Sequence, residues 1–530
     1  MPTVALQMPY APVFPYAGLN QTGLNFVPKP QTTVAQPNYW PLIASRQFFT
    51  SPERFPIQLV TLKNGHRIII EQRPSDIIGL RTFINTGSIL ENPIYSSPYY
   101  KNSGLPSGIA HLDEHSRFLK TKHFPVKNTW TQAVDNLGSL WNASTSSEGI
   151  QHELFFNREV LPQMLSMHAE SILNPVYDPV DLAQEKRNVL NEASLRTRKP
   201  LAAIMNKLSE LMFDRAGFQP LGTAQDVLRS TPADLERFRQ MAYSPGNMVT
   251  AVVGNVNPEM VLSTLAPAFS SNPIPNQSSP LPQIRLTLPL HTVRQQSIYN
   301  ADLTDSIVAM NFPAPPKSSL KERVTIHIID ELLNGSGLSL FQKQLIHQGQ
   351  ASSVSTSYEP SKQTGVYAIF AETQPGNEKQ ALNTVLNTLA QLSMYPVSAA
   401  KLNDIKACLL QWHQDSSADV QSASMLLGDA VTNGTLAYEL KFPQLLGQIT
   451  PLDIMQTAQK YLRADRYAVV FGLPMKLLPN GLTPPVGMNN PTIDKQAPAN
   501  TGPTATPVLV ATAGPANPVL AKPTTGNPAQ

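Results

Sequence analysis

The stretch TPADLERFRQMAYSPGNMVTAVVGN (231–255) returns in altered form as TPLDIMQTAQKYLRADRYAVVFG (450–472). Thr231 and Thr450, Pro232 and Pro451, and Asp234 and Asp453 stand at one offset of 219 residues. In each copy the Thr reads as a helix N-cap and the Pro as the first helical residue. A helix, a Tyr and a Val-Val strand follow. One unit written twice predicts tandem homologous domains of about 200 residues each.

Outward from these copies, each half mixes strands and helices. IQLVTLKNGHRIIIEQ (57–72) places two β-rich runs around Asn64-Gly65, a hairpin signal. IIGLRTFINTG (77–87) alternates as a third strand. REVLPQMLSMHAESIL (158–173) carries apolar residues at helical spacing. In the second half DSIVAMNFP, VYAIFAET and YAVVFGLP read as strands and ERVTIHIIDELLN as a helix. The expected fold class is α+β, each domain a mostly antiparallel sheet layered with helices.

Composition sets the boundaries. The 530 residues include 49 prolines, well above the roughly 5% average, and ten of them fall in 1–56 and twelve in 474–530. Both ends are poor in charge and rich in Pro, Thr, Ala, Asn and Gln, a composition that cannot offset its ordering entropy. The expected layout is a Pro-rich extension (1–52), a first domain (53–270), a linker (271–285), a second domain (286–476) and a disordered tail (477–530). Tyr39, Trp40, Phe48 and Phe49 lead us to expect part of the extension, about 38–56, to pack on the body. A net charge of +3 argues against nucleic acid as the partner. No run is long and apolar enough to span a membrane. With no secretory leader evident and Cys408 the single cysteine, the expected compartment is the cytoplasm. One cysteine also excludes an all-cysteine metal site, so a metal would need His and carboxylates.

Such a set is present. GIAHLDEH (108–115) holds His111, Glu114 and His115 in an H-x-x-E-H order. On a helix the two histidines lie one turn apart on one face, able to share a zinc, with Glu114 beside them. A hydrolytic zinc takes a third protein ligand and keeps one position open. Candidates lie on LAQEKRNVLNEASLR (182–196), where Glu185 and Glu192 share a helical face with Val189. The remaining histidines show no partner spacing.

These motifs resemble the pitrilysin/insulinase family of zinc metallopeptidases, which includes the mitochondrial processing peptidases. GIAHLDEHSRFLKTKHFP resembles the family's G-x-A-H-x-x-E-H-x-x-F-x-x-T-x-x-(Y/F)-P. LGSLWNASTSSEGIQHELFF (137–156) resembles its L-G-G-x-x-N-A-x-T stretch, and EKRNVLNE (185–192) its E-x-x-x-V-x-x-E helix. The resemblance implies one Zn2+ per chain held by His111, His115 and Glu192, with Glu114 as general base. It further implies Glu185 as a supporting carboxylate, a metal-free second domain, and Asn142, Ala143, Ser144 and Thr145 as the edge strand to which a peptide substrate adds. LNGSGLSLFQKQLIHQGQASSVSTSY (333–358) resembles the segment that carries a substrate-binding Arg and Tyr, and here Leu345 and Ser352 stand in those places. The implied activity is a zinc endopeptidase. The expected partner is a homologous zinc-free subunit supplying Arg and Tyr in trans, or a second copy in a homodimer. The alternative is a peptidase-like scaffold that binds peptides or another chain without cleaving. The loop at 92–107 is longer than the family's usual one.

Overall fold

The computed structural model describes residues 38–91, 104–197, 199–213, 220–275, 290–335 and 339–478. Nearly all of the expected tail, most of the extension and linker, and residues 92–103 of the long loop lie outside these residues.

The first sheet has seven strands: β1 (Ile43–Thr50), β2 (Pro56–Leu62), β3 (Arg67–Gln72), β4 (Ile77–Ile84), β5 (Leu140–Thr145), β6 (Ile150–Asn157) and β7 (Met248–Gly254). Their order is β1-β2-β3-β7-β4-β6-β5. The second sheet has five: β8 (Arg294–Asn300), β9 (Ser306–Ala314), β10 (Ser353–Pro360), β11 (Gly365–Thr373) and β12 (Ala468–Pro474). Read from its β8 edge, the order β8-β12-β9-β11-β10 repeats β3-β7-β4-β6-β5 place for place. All pairs are antiparallel except β3 with β7 and β12 with β8, which are corresponding pairs. The duplication read in the sequence is therefore a duplication of topology.

The helices of the first half are α1 (Ile109–Arg117), α2 (Thr129–Asn136), α3 (Leu161–Leu173), α4 (Pro179–Thr197), α5 (Pro200–Phe213), α6 (Ala224–Arg229), α7 (Pro232–Ala242) and α8 (Pro258–Ser270). Those of the second are α9 (Leu320–Asn334), α10 (Glu378–Met394), α11 (Ala399–Ser416), α12 (Val420–Thr432), α13 (Leu436–Gln448) and α14 (Pro451–Tyr461). The quoted copies start α7 and α14. In both, the Thr hydroxyl accepts from the backbone N–H of the Asp while the Asp carboxylate accepts from the Thr N–H, a reciprocal capping box.

Strand alternation sorts the core. Ile68 and Ile70 of β3, Leu80 of β4 and Val252 of β7 point to the face covered by α1, α3, α7 and α8. Ile69, Phe83, Val249, Ala251 and Val253 point to the other face. That face is covered from the second half: α12 lays Val420, Ala423, Leu427 and Val431 on it. The exchange is mutual. Helix α5 of the first half places Ile204, Leu208 and Met212 on Ala309, Ala468 and Val470 of the second sheet. Each half thus completes the core of the other.

The stretch 38–56 does join the body. β1 pairs with β2 from Ile43↔Leu62 to Thr50↔Pro56, extending the sheet outward. Tyr39 donates to Glu259, and Arg46 reaches the same carboxylate at 2.9 Å.

Candidate metal centre

The helix α1 is nine residues long and lies in the first-half core between β5, α4 and α7. Its C-terminal end is fixed by a buried ion pair. Arg117 Nε donates to Asp113 Oδ2 at 2.8 Å, its Nη1 to the Ile172 carbonyl at 2.8 Å, and its guanidinium lies 3.4 Å from the Tyr243 ring centroid. The hydroxyls of Tyr177 and Tyr243 both donate to Asp113. A buried charge pair is tolerated when its remaining hydrogen-bonding capacity is filled in this way.

The other face of α1 presents the predicted residues. His111 and Glu114 are buried, and His115 nearly so. The imidazole centroids lie 4.6 Å apart at an interplanar angle of 80°. Across from them α4 brings Glu192, whose Oε2 is 3.6 Å from His111 Nε2 and 3.6 Å from His115 Nε2. Ligands about 2.0–2.1 Å from a tetrahedral metal stand roughly 3.3 Å from each other, so Glu192 Oε2 stands from each imidazole nitrogen at nearly the spacing a shared cation requires. His115 Nε2 is buried with no hydrogen-bond partner, an orphan that a metal would satisfy. Glu185, one helical repeat before Glu192, places Oε2 3.4 Å from His115 Nδ1. A carboxylate on Nδ1 leaves Nε2 as the free lone pair. The donor set fits a zinc ion.

Donor atoms of His111, Glu114 and His115 also lie within 4.8 Å of one another, so distance alone does not separate ligand from base. The surroundings do distinguish the two glutamates. Glu192 is partly exposed and uses Oε1 on Arg196 at 2.6 Å, leaving Oε2 for the histidines. Glu114 is enclosed and accepts a 2.5 Å hydrogen bond at Oε2 from Thr145 Oγ1.

Electrostatics follow from this packing. Burial lowers the His111 pKa to about 3, and the neighbouring His115 adds to the effect. Burial acts on His115 in the same direction, but Glu185, Glu192 and Glu114 outweigh it and raise the value to about 9. Burial raises Glu114 to about 7 against the opposing pull of His115 and Thr145. Burial also opposes ionisation of Glu192, yet His115, His111 and Arg196 hold it below its ordinary value.

The predicted edge strand is β5, at the end of the sheet and paired on one side with β6. Asn142 is half-buried; Ala143, Ser144 and Thr145 are buried. Ser144 Oγ accepts from Gln151 at 2.7 Å. Thr145, expected on the strand for substrate, has its hydroxyl on Glu114, a contact between distant elements that spacing alone does not reveal. Leu345 is fully buried in the second-half core, and Ser352 is exposed with its N–H on the Glu372 carbonyl. Neither position carries a charged or phenolic group. Sequence reasoning missed Arg196, legible only as an i,i+4 partner of Glu192, and Glu91, which has no local signal.

Two imidazoles and a carboxylate converging beside an enclosed second glutamate, on a duplicated α+β scaffold, define a metallohydrolase-type site. The family description "Insulinase (Peptidase family M16)" matches residues 67–220, and "Peptidase M16 inactive domain" matches 229–409. The chain belongs to this pitrilysin/insulinase-type peptidase family. It is 22% identical over 422 residues to the zinc protease PqqE of Helicobacter pylori, covering 78% of this chain and 91% of that protein. It is 22% identical over 369 residues to a probable mitochondrial-processing peptidase subunit alpha-1 of Arabidopsis thaliana, covering 66% and 68%. The crystal structure of a protease from Helicobacter pylori superposes with a TM-score of 0.70 at 21% identity, covering 79% of this chain and 99% of that one. The periplasmic protease PqqL of Escherichia coli, first half, gives 0.63 at 18% identity, covering 81% and 93%.

Proposed function

We propose that the chain is a zinc-dependent endopeptidase acting on peptides or unfolded segments. The observation that carries this reading is the convergence of His111 Nε2, His115 Nε2 and Glu192 Oε2, with Glu114 enclosed beside them. His111, His115 and Glu192 would hold one zinc, which when bound acidifies water and polarises the scissile carbonyl. Thr145 fixes Oε2 of Glu114 and leaves Oε1 to take the proton as water adds to the carbonyl carbon. Glu114 then returns that proton to the amine nitrogen as the C–N bond breaks. Glu185 holds His115 through Nδ1. Asn142, Ala143, Ser144 and Thr145 on the edge strand would align the substrate backbone by strand addition.

The scaffold reading draws on Leu345 and Ser352. We assign their deficit to a partner instead: a homologous zinc-free chain supplying Arg and Tyr in trans, or a second copy of this one. Two considerations support this. The inactive-domain description falls on the half without the His and Glu set, while the half that has it matches the peptidase description. Relatives are also named as alpha and beta subunits of the processing peptidase. Among the described residues no helix is long and apolar enough to cross a membrane. Cytoplasm is the compartment we propose, and fractionation placing the chain elsewhere would overturn it.

The decisive experiment joins metal analysis to peptide cleavage. The parent chain is expected to bind one zinc. Glu192→Gln should lose most of it, and Glu114→Gln should keep it while cleavage falls at least a hundredfold. Full zinc occupancy in Glu192→Gln, or parental cleavage by Glu114→Gln, would sink these assignments. Cleavage by the lone chain should be weak and rise at least tenfold with a homologous Arg- and Tyr-bearing subunit. Full activity alone would remove the need for that partner.

A further inference from the structure

The start of α1 is capped by a side chain from another element. Its N-cap is Gly108, in the left-handed region at φ +86°, with no side chain to cap the helix. The first four backbone N–H groups of a helix have no intrahelical acceptor, and His111 is only the third helical residue. The cap arrives from elsewhere. Glu91 ends a short 3-10 turn (Ser88–Glu91) that follows β4, and both of its carboxylate oxygens are used. Oε2 accepts from the Gly108 N–H at 2.6 Å and Oε1 from the Ala110 N–H at 2.7 Å.

We infer that Glu91 is a positioning residue for the proposed zinc site, holding the first turn of α1 and so setting where His111 and His115 point. Three observations carry this. First, Glu91 is 4% exposed and forms no ion pair with any described residue. A carboxylate buried without a counter-cation is costly: burial raises the Glu91 pKa to about 8, the N–H groups of Ala110 and Gly108 opposing and Asp226 adding to the rise, and the hydrogen bonds its two oxygens accept come from the helix start. Second, the turn is tied to the β5–β6 hairpin: Ser88 and Ile89 donate backbone N–H groups to the carbonyls of Ser146 and Ser147. Glu91 therefore links the helix bearing the histidines to the strand bearing Thr145, which holds Glu114. Third, the approach is tight. A side chain at Gly108 would meet the Leu221 carbonyl at 2.8 Å, and one at Gly222 the Ser107 carbonyl at 2.3 Å. The helix start is thus confined sterically, while Glu91 supplies its polar registration. Metal–ligand distances keep within about 0.2 Å of their usual values, so loosening this turn acts directly on His111.

The inference rests on the zinc reading, and its test separates the two. Zinc affinity is measured by competition with a chromogenic chelator, and hydrogen exchange of the 108–117 segment by mass spectrometry on metal-free full-length chain. Glu91→Gln presents an N–H2 to one of the two backbone donors. We expect at least tenfold weaker zinc binding and at least tenfold faster exchange of the α1 amides, with the metal-free melting temperature within a few degrees of the parent. Glu91→Asp, which keeps the acceptor but shortens its reach, gives the same two readings should Glu91→Gln fail to fold. Parental exchange in the folded variant would overturn the inference. So would parental zinc affinity accompanied by a lowered melting temperature, which marks a purely structural residue. Failure of the parent chain to take up zinc would instead sink the zinc reading, before any variant is made.

Discussion

At the residue scale, buried charge is concentrated where it does work or where the halves meet. Glu114 and Glu185 belong to the candidate site. Glu439 does not. It sits on α13 in a small pocket with Glu53, Glu71, Arg73 and His413. Its carboxylate lies 3.9 Å from His413 Nε2, too far for a hydrogen bond. Burial raises its pKa to about 7, with Arg323 opposing and Asp429 adding to the rise. The sign follows from which state holds the proton. The folded chain keeps Glu439 protonated between the ordinary value near 4.5 and about 7, so stability falls as pH climbs through that window. Above it the buried charge costs about 3 kcal/mol. Glu439→Gln should therefore raise the melting temperature at pH 8 and leave it nearly unchanged at pH 5. An equal shift at both pH values would show that the carboxylate charge is not the cause.

At the element scale, the sequence was most informative where the physics is local. The Thr231 and Thr450 N-caps, the Asn64-Gly65 hairpin and the H-x-x-E-H helix each depend on contacts within a few residues, and each lies where it was read. Glu192 and Glu185 were legible because helical periodicity sets them on one face with Val189. Four features were not legible. β1 alternates too weakly to show a buried face, since its side chains range only from half-buried to exposed. Thr145 on Glu114 and Glu91 on α1 join elements 31 and 17–19 residues apart without a periodic signature. The exchange of α5 and α12 was hidden for a related reason. An amphipathic helix announces an apolar face but not whose sheet it covers. The contact surface itself is specific. A Cβ at Gly79 of β4 would lie 2.6 Å from the Val420 carbonyl of α12. Gly79→Ala lowers the entropy of the unfolded chain, a gain of about 0.4–1 kcal/mol. The clash is with backbone, which cannot swing aside as a side chain can, and overpacking of this kind costs about 1–3 kcal/mol. We expect net destabilisation in thermal or denaturant unfolding, and a melting temperature at or above the parental one would mean that α12 stands farther from β4.

At the scale of the whole molecule, the exchange of helices decides how the two halves behave together. Tandem domains joined by a Pro-rich linker ordinarily unfold in separate steps. Here α12 covers the face of the first sheet that α1, α3, α7 and α8 leave open, and α5 does the same for the second sheet. Polar contacts reinforce the exchange. Arg73 donates to the carbonyls of Ser417, Ala418 and Asp419 beyond α11, Arg67 to the Val431 carbonyl near the end of α12, and Arg81 Nε to Ser424 Oγ. Cations at helix C-termini interact favourably with the carbonyls left there. Lys362, in the β10–β11 turn, donates to the carbonyls of Asn85 and Glu148 across the same boundary. Unfolding either half strips one apolar face from the other sheet, so neither core should survive the loss of its neighbour. The chain also carries its own reporters: Trp130 and Trp141 lie in the first half and Trp412 in the second. Variants that keep only Trp130 or only Trp412, the other tryptophans replaced by Phe, should give coincident fluorescence melts in the metal-free chain, and both midpoints should fall together when Gly79→Ala is added. Midpoints separated by more than about 5 °C, or a Gly79→Ala shift seen only by Trp130, would show that the halves are independent despite the exchanged helices, and that the candidate metal centre is organised within the first half alone.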